Sequence, residues 1–337
     1  MDKIESQVMP APPNLINSLR AGFDAVANQV AVLLLPIAVD LFLWLGPRMQ
    51  IKTLINDFLN ASLAANQISS VETRDLLTSS VEMMRSVAQG FNLLSLVRTI
   101  PVGIPSLMAN GLHTEIPNGS PASMDILNPV IAFVLALCLI LIGLMAGTFF
   151  YQLVVQVALR SKIEMKKIIK EWFWTMLQVL SLAVAFLILF IGVSIPSLCA
   201  IFAVALFGFP LAQFASFLYL GFLLWLAFPL LFSTHGIFVH YINALSSVQR
   251  SMMLTKMTLP TTALFIIIII ALSEGLDFLW RVPPENSWLT LVGVGGHAFI
   301  TSALLAASFV YYRDADHWVQ ETLRVIKSQR GIPLQGG

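Results

Sequence analysis

A chain of 337 residues that is 57% apolar and only 11% Asp, Glu, Lys and Arg, with a mean hydropathy of +0.83, carries more apolar surface than a soluble globule can hide. Ordinary soluble domains are roughly 25% charged, so an ordinary cytosolic enzyme is excluded. A net charge of +1 argues against nucleic acid, two cysteines cannot build a disulfide scaffold, and the composition is that of a multi-pass membrane protein.

The first 28 residues carry Asp2, Lys3, Glu5, Arg20 and Asp24 and the proline cluster 10–13. No small-residue cleavage site follows a short apolar core, so the first hydrophobic segment is expected to stay as an anchor. Leu15, Ile16, Leu19, Phe23 and Val26 form a helical apolar stripe, suited to the membrane interface. A span needs about 20 mostly apolar residues. Residues 25–47 form the first, interrupted by Asp40.

Residues 48–125 read as an outer segment. Ile51, Leu54, Ile55, Phe58 and Leu59, and then Leu77, Val81, Met84, Ala88 and Phe91, follow helical spacing. Two amphipathic helices with covered apolar faces are expected. A return loop follows, punctuated by Pro101, Gly103, Pro105, Gly111, Pro117, Gly119 and Pro121.

The second span lies in the 34 uncharged residues between Asp125 and Arg160. Asn128-Pro129 is an N-cap followed by proline at the first helical position. Residues 172–249 then give 78 positions without a charge. Pro196 and Pro210 bracket 197–209, too short to cross alone. The reading is one span before Pro196, a short or re-entrant helix, and a fourth span at 211–233. An amphipathic stripe from Phe238 to Met252 precedes a fifth span at 257–280. The sixth covers 286–312, and Trp318, Val319, Leu323 and Ile326 continue as a surface stripe. The expected fold is an all-α polytopic membrane bundle of six spans, with an extracytoplasmic helical segment and interfacial helices. Its segments are 1–47, 48–125, a five-span bundle at 126–312 and a cytoplasmic tail at 313–337.

Charge bias favours this count. With the N-terminus inside, inner segments hold 13 of the 19 basic residues, and five of the six outer ones lie in the long 48–125 loop. Long loops weigh little in the positive-inside rule. Both termini are therefore expected in the cytoplasm.

Catalytic signatures are missing: no His-Glu-x-x-His pair, no Gly-x-Ser-x-Gly elbow, no phosphate-binding Gly-Lys loop. Gly143 and Gly147, Ala303 and Ala307, and Gly295 with Gly296 are small residues inside spans, fitted to close helix packing. Cys138 and Cys199 act as small apolar residues. His235 and His240, five apart, lack further ligands, so neither metal nor cofactor is expected. The informative residues are ionisable groups within apolar runs: Asp40, Glu274, Asp277 and His297. Such groups are costly in lipid unless paired or hydrated. All four fall in the outer half of the expected bundle. Glu274 could pair with His297, and Asp277 with Arg281. The cluster can be structural, or it can line a path for ions or a polar solute.

The segment from Ala244 to Lys256 is an amphipathic helix ending Ser251-Met252-Met253-Leu254-Thr255-Lys256 before an apolar span. The opening has Asn28 and then Leu34-Leu35-Pro36. Together these resemble a broad group of six-helix bacterial membrane proteins that includes the membrane domain attached to some glycerophosphodiester phosphodiesterases. With Phe91 to Leu96 and Ala307 to Asp314, the whole chain is similar to uncharacterised multi-pass proteins of green non-sulfur bacteria. The resemblance implies a fold and a membrane, and no reaction. The function expected is a non-enzymatic scaffold or accessory subunit, with the lipid bilayer and other membrane-protein subunits as partners and no nucleic acid. The alternative is a carrier or channel for a small solute or ion.

Overall fold

The computed structural model describes residues 11–65, 71–110, 115–160, 162–205 and 208–329. The chain is an all-α helix bundle. In order, its helices are α1 (Leu15–Asn28), α2 (Leu34–Leu45), α3 (Lys52–Ala65), α4 (Val71–Gly90), α5 (Pro129–Arg160), α6 (Met165–Ala205), α7 (Phe209–Ala227), α8 (Ser233–His240), α9 (Ala244–Met257), α10 (Leu259–Trp280) and α11 (Thr290–Gln329). Strands β1 (Arg48–Gln50) and β2 (Ser123–Asp125) form a parallel pair.

Among the described residues, five stretches are long and apolar enough to cross a membrane: Pro129–Arg160, Met165–Ala205, Pro210–His240, Leu259–Trp280 and Thr290–Gln329. A sixth exists if Leu15–Asn28 and Val30–Leu45 count as one span, but they meet at a bend of 88°. Val30–Leu45 alone reaches about 25 Å, short of the roughly 30 Å hydrocarbon core. The first span expected at 25–47 is thus broken at Gln29, and its apolar length is shared between two directions.

Two further expectations are corrected. Pro196 does not end a span. It lies inside the 41-residue α6, so 197–205 continues that helix instead of forming a separate short piece. In lipid, a break would strand polar backbone groups, and a proline within a continuous helix disturbs fewer of them. The stripe from Phe238 to Met252 is not one helix. Tyr241, at φ 55°, ends α8. Asn243 then restarts the chain, its side-chain oxygen accepting from the Ser246 N–H at 2.9 Å. The same device opens α5, where Asn128 Oδ1 accepts from Val130 N at 2.9 Å ahead of Pro129.

The chain folds as two compact units. The first comprises Met1–Asn28, Tyr151–Ile270 and Ala303–Gly337. Its core gathers Phe232, Leu254, Phe265, Tyr311, Tyr312 and Val319. The Phe265 and Tyr311 rings stack at 4.2 Å. Helix α1 lies against α11 at Gly22, where a Cβ would overlap the Ala307 nitrogen and stand 2.6 Å from the Ala303 oxygen. Ala303 and Ala307 therefore serve close helix packing, as small residues in membranes do.

The second unit comprises Gln29–Phe150 and Ala271–Ser302. Its core includes Leu43, Trp44, Leu93, Leu94, Leu107 and Ile126. The β1–β2 pair, in register Arg48 with Ser123, ties the start of the 48–125 segment to its end. The Thr53 hydroxyl donates to the Asp125 carboxylate beside it. Between lie the two amphipathic helices the periodicity predicts, α3 and α4. Leu59, Val81 and Ala88 are buried, and Arg85 Nη2 donates to Asn60 Oδ1 at 2.6 Å. Phe58, expected on the covered face, is 69% exposed, and Met84 is exposed too. The covered stripe is narrower than the apolar one. The side chain of Leu77 lies outside the described residues.

Candidate functional site

The informative acids fall in the second unit. On α2 the buried residues are Pro36, Asp40, Leu43 and Trp44, one helical face. That spacing turns Asp40, fully buried, toward the loop at 106–110. Its Oδ1 accepts from the Ser106 hydroxyl at 2.5 Å and from Met108 N at 3.0 Å, and its Oδ2 accepts from Leu107 N at 3.2 Å. Ser106 Oγ in turn accepts from Ala109 N at 3.0 Å. Asp40 thus caps the 3₁₀ turn Met108–Asn110, satisfying amides that a short helix cannot satisfy itself. One turn further along α2, Trp44 Nε1 donates to the Glu285 carbonyl at 3.1 Å, with its ring edge-on to Trp288 at 6.0 Å.

Asp277 on α10 and His297 on α11 meet at 2.6 Å, Oδ1 to Nδ1. His297 is 4% exposed and lies close enough to Asp40 to interact with it electrostatically. Its Nε2 is buried without a hydrogen-bond partner among the described residues, as is Trp280 Nε1 on the adjoining turn of α10. The Trp280 ring covers Gly296, where a Cβ would come within 2.7 Å. The fold therefore gathers Asp40, Asp277 and His297 and leaves out Glu274, which is exposed and has no partner among the described residues. The pairs suggested by spacing are replaced. His297 takes Asp277 instead of Glu274, and Arg281 Nη2 donates to the Leu107 carbonyl at 3.3 Å instead of to Asp277. At the edge of this unit, burial lowers the Arg48 guanidinium pKa below its ordinary value, and the nearby Glu285 opposes that.

The small residues of α5 serve a different contact from the one expected. A Cβ on Gly143 would collide with the Val97 carbonyl oxygen, and one on Gly147 would stand 2.8 Å from Gly103 Cα. Both glycines admit the loop at 97–103, not a partner helix. Gly295 faces open space.

The first unit holds a polar network that the pattern of isolated acids does not reveal. Ser247, Ser251, Thr255, Thr258 and Thr262, spaced by three and four, are all buried. Ser247 donates to the Ser233 carbonyl at 2.5 Å, Ser251 to the Pro229 carbonyl at 2.7 Å, and Thr262 shares a hydrogen bond with Tyr311 at 2.9 Å. Arg250 grips Asp316 with Nε at 2.7 Å and Nη2 at 2.9 Å, and His240 Nε2 lies 3.2 Å from the same carboxylate. His235 Nε2 pairs with Ser308 Oγ at 2.9 Å. The hydroxyl periodicity is visible in the sequence. The Arg250–Asp316 pair, 66 residues apart, is not. Just beyond α8, burial and a hydrogen bond with Glu171 push the Tyr241 phenol up to about 12. His235 is thus paired with a hydroxyl and His240 lies beside a carboxylate, and no group of three metal-binding side chains occurs among the described residues. Cys138 and Cys199 are exposed thiols.

These features define a polytopic all-α membrane protein with two buried polar clusters. Comparison with protein-family models, with curated proteins and with solved structures returns no match.

Proposed function

We propose that this protein is a non-enzymatic scaffold or accessory subunit of an assembly in a bacterial cytoplasmic membrane. The observation that carries this reading is the use of Asp40. Its carboxylate, the most deeply buried acid of the expected cluster, is committed to Ser106, Leu107 and Met108 of its own chain. An acid serving a conduction path needs oxygen atoms free for the passing ion. The uncovered side of the bundle supports the same reading. None of the most apolar window of Pro210–His240 is buried within the protein, which leaves Phe214, Phe217 and Phe222 to lipid or to another subunit. Isolation in mild detergent should bring other membrane subunits along in fixed ratio. A preparation that stays free of other proteins from native membranes overturns the reading.

A second reading, a proton-coupled carrier, is favoured by the buried His297 Nε2. With Asp277 on Nδ1, that nitrogen is the ring atom left without a partner among the described residues. Proteoliposomes separate the two. Proton flux in wild type that His297→Gln abolishes supports the carrier, and equal, background flux in both supports the scaffold.

The orientation proposed has both termini in the cytoplasm and 48–125 outside, on the charge bias of short loops. In a background lacking Cys138 and Cys199, single cysteines at Glu82, Lys166 and Gln329 can be labelled in intact cells with an impermeant reagent. Labelling at 82 alone is expected, and labelling at 166 or 329 with 82 silent overturns the orientation.

A further inference from the structure

Within the first unit, the end of α7, the end of α9 and the start of α10 enclose an apolar groove of about 830 Å³. This lies within the range of ligand pockets. Its walls include Trp225, Phe228, Met252, Leu259 and Ala263, and its one charged lining residue is Lys256. We infer that the groove is a binding site for one anionic phospholipid, with an acyl chain along the apolar wall and the phosphate at Lys256.

Three observations carry the assignment. Lys256 is exposed and has no partner among the described residues, so its ammonium is available. The second is the wall itself: Trp225, Met252 and Leu259 are large apolar side chains left exposed along the groove, a contiguous patch of the kind that marks a ligand or membrane contact. The third observation is depth. Arg250 and Lys256 stand on α9, and then α10 runs from Leu259 without a charge until Glu274. The groove lies where the chain passes from charged to apolar, the level at which headgroup gives way to hydrocarbon. Its lining contains no Asp or Glu, so a zwitterionic headgroup finds no carboxylate for its ammonium, while the charge of an anionic one is matched by Lys256. Basic pockets between membrane helices select anionic headgroups on this principle.

The test is native mass spectrometry of the full chain in detergent, titrated separately with palmitoyl-oleoyl-phosphatidylglycerol and palmitoyl-oleoyl-phosphatidylcholine. Wild type should hold one phosphatidylglycerol about fivefold more tightly than phosphatidylcholine, the worth of one lysine near a headgroup. Lys256→Gln, an exposed change that leaves the fold intact, should erase that preference, and Lys256→Arg should keep it. Ala263→Trp should weaken both lipids by filling the groove. Equal affinity for the two lipids in wild type, or an unchanged preference in Lys256→Gln, overturns the inference. So does a second copy of the chain that displaces lipid and protects Trp225.

Discussion

Asp277 and His297 stand 20 residues apart in the chain and 2.6 Å apart in the fold, while Glu274, one turn earlier on the same helix, points outward and pairs with nothing among the described residues. Removing either partner leaves the other with an unmet polar group in a nearly dry site. Asp277→Ala and His297→Ala should each cost about 1–3 kcal/mol, and the double variant less than their sum. Glu274→Gln should stay within about 0.5 kcal/mol of wild type, as surface changes do. Chemical denaturation in detergent reads all four. An equal loss for Glu274→Gln would mean that the exposed acid is engaged after all.

Asp40 makes a sharper demand. Asp40→Ala strands two backbone amides and the Ser106 hydroxyl, and should cost about 3 kcal/mol or more. Asp40→Asn keeps one carbonyl oxygen and should cost about half as much. Limited proteolysis should cut the 101–110 loop faster in the alanine variant. Unchanged cleavage would show that the loop holds its shape without the cap.

The glycines of α5 and α11 should separate cleanly. Gly143→Ala forces a methyl group against the Val97 carbonyl, and backbone cannot give way as a flexible side chain can. A loss of about 1–3 kcal/mol is expected. Gly295→Ala meets nothing and gains helix propensity, up to about 1 kcal/mol. Melting temperatures in detergent should therefore move in opposite directions. A shift of the same sign in both would remove the close approach to Val97 as the cause.

On α3, neighbouring positions give a direct contrast. Leu59→Asp places a charge in the buried seam with α4 and should unfold the pair, read as protease sensitivity across 52–90. Phe58→Asp, on an exposed position, should leave that seam intact. If both variants are equally sensitive, Phe58 is covered by something other than this chain.

Arg250 and Asp316 form a bidentate pair with the carboxylate almost buried. Asp316→Asn should cost about 1–3 kcal/mol, discounted for the partly exposed guanidinium. Arg250→Lys should recover less than half the coupling, because an ammonium cannot grip both oxygens. A double-mutant cycle on thermal stability measures this, and additive losses would dismiss the pair as a stabilising contact.

The class of the protein is legible in its residues alone. Uncharged runs longer than a bilayer is thick admit few structures besides helices, because backbone polar groups in lipid must be satisfied within their own segment. The amphipathic pair in 48–125 and the cap at Asn128 are legible for a similar reason, since periodicity and capping are local. The break and restart at Tyr241 and Asn243 are not, because they lie within what reads as one continuous stripe. Which charges meet is a matter of packing. Spacing along one helix suggests Asp277 with Arg281, yet the partner of Asp277 comes from α11, and Asp40 turns its oxygens to a loop 66 to 68 residues away. The continuation of α6 through Pro196 and the 88° bend after Asn28 belong to the same class. A proline or a short apolar run permits either a break or a continuation, and the choice rests on what the neighbouring segments can satisfy. Local rules fix which residues are helical, and only the packed chain fixes which of its costly polar groups satisfy one another.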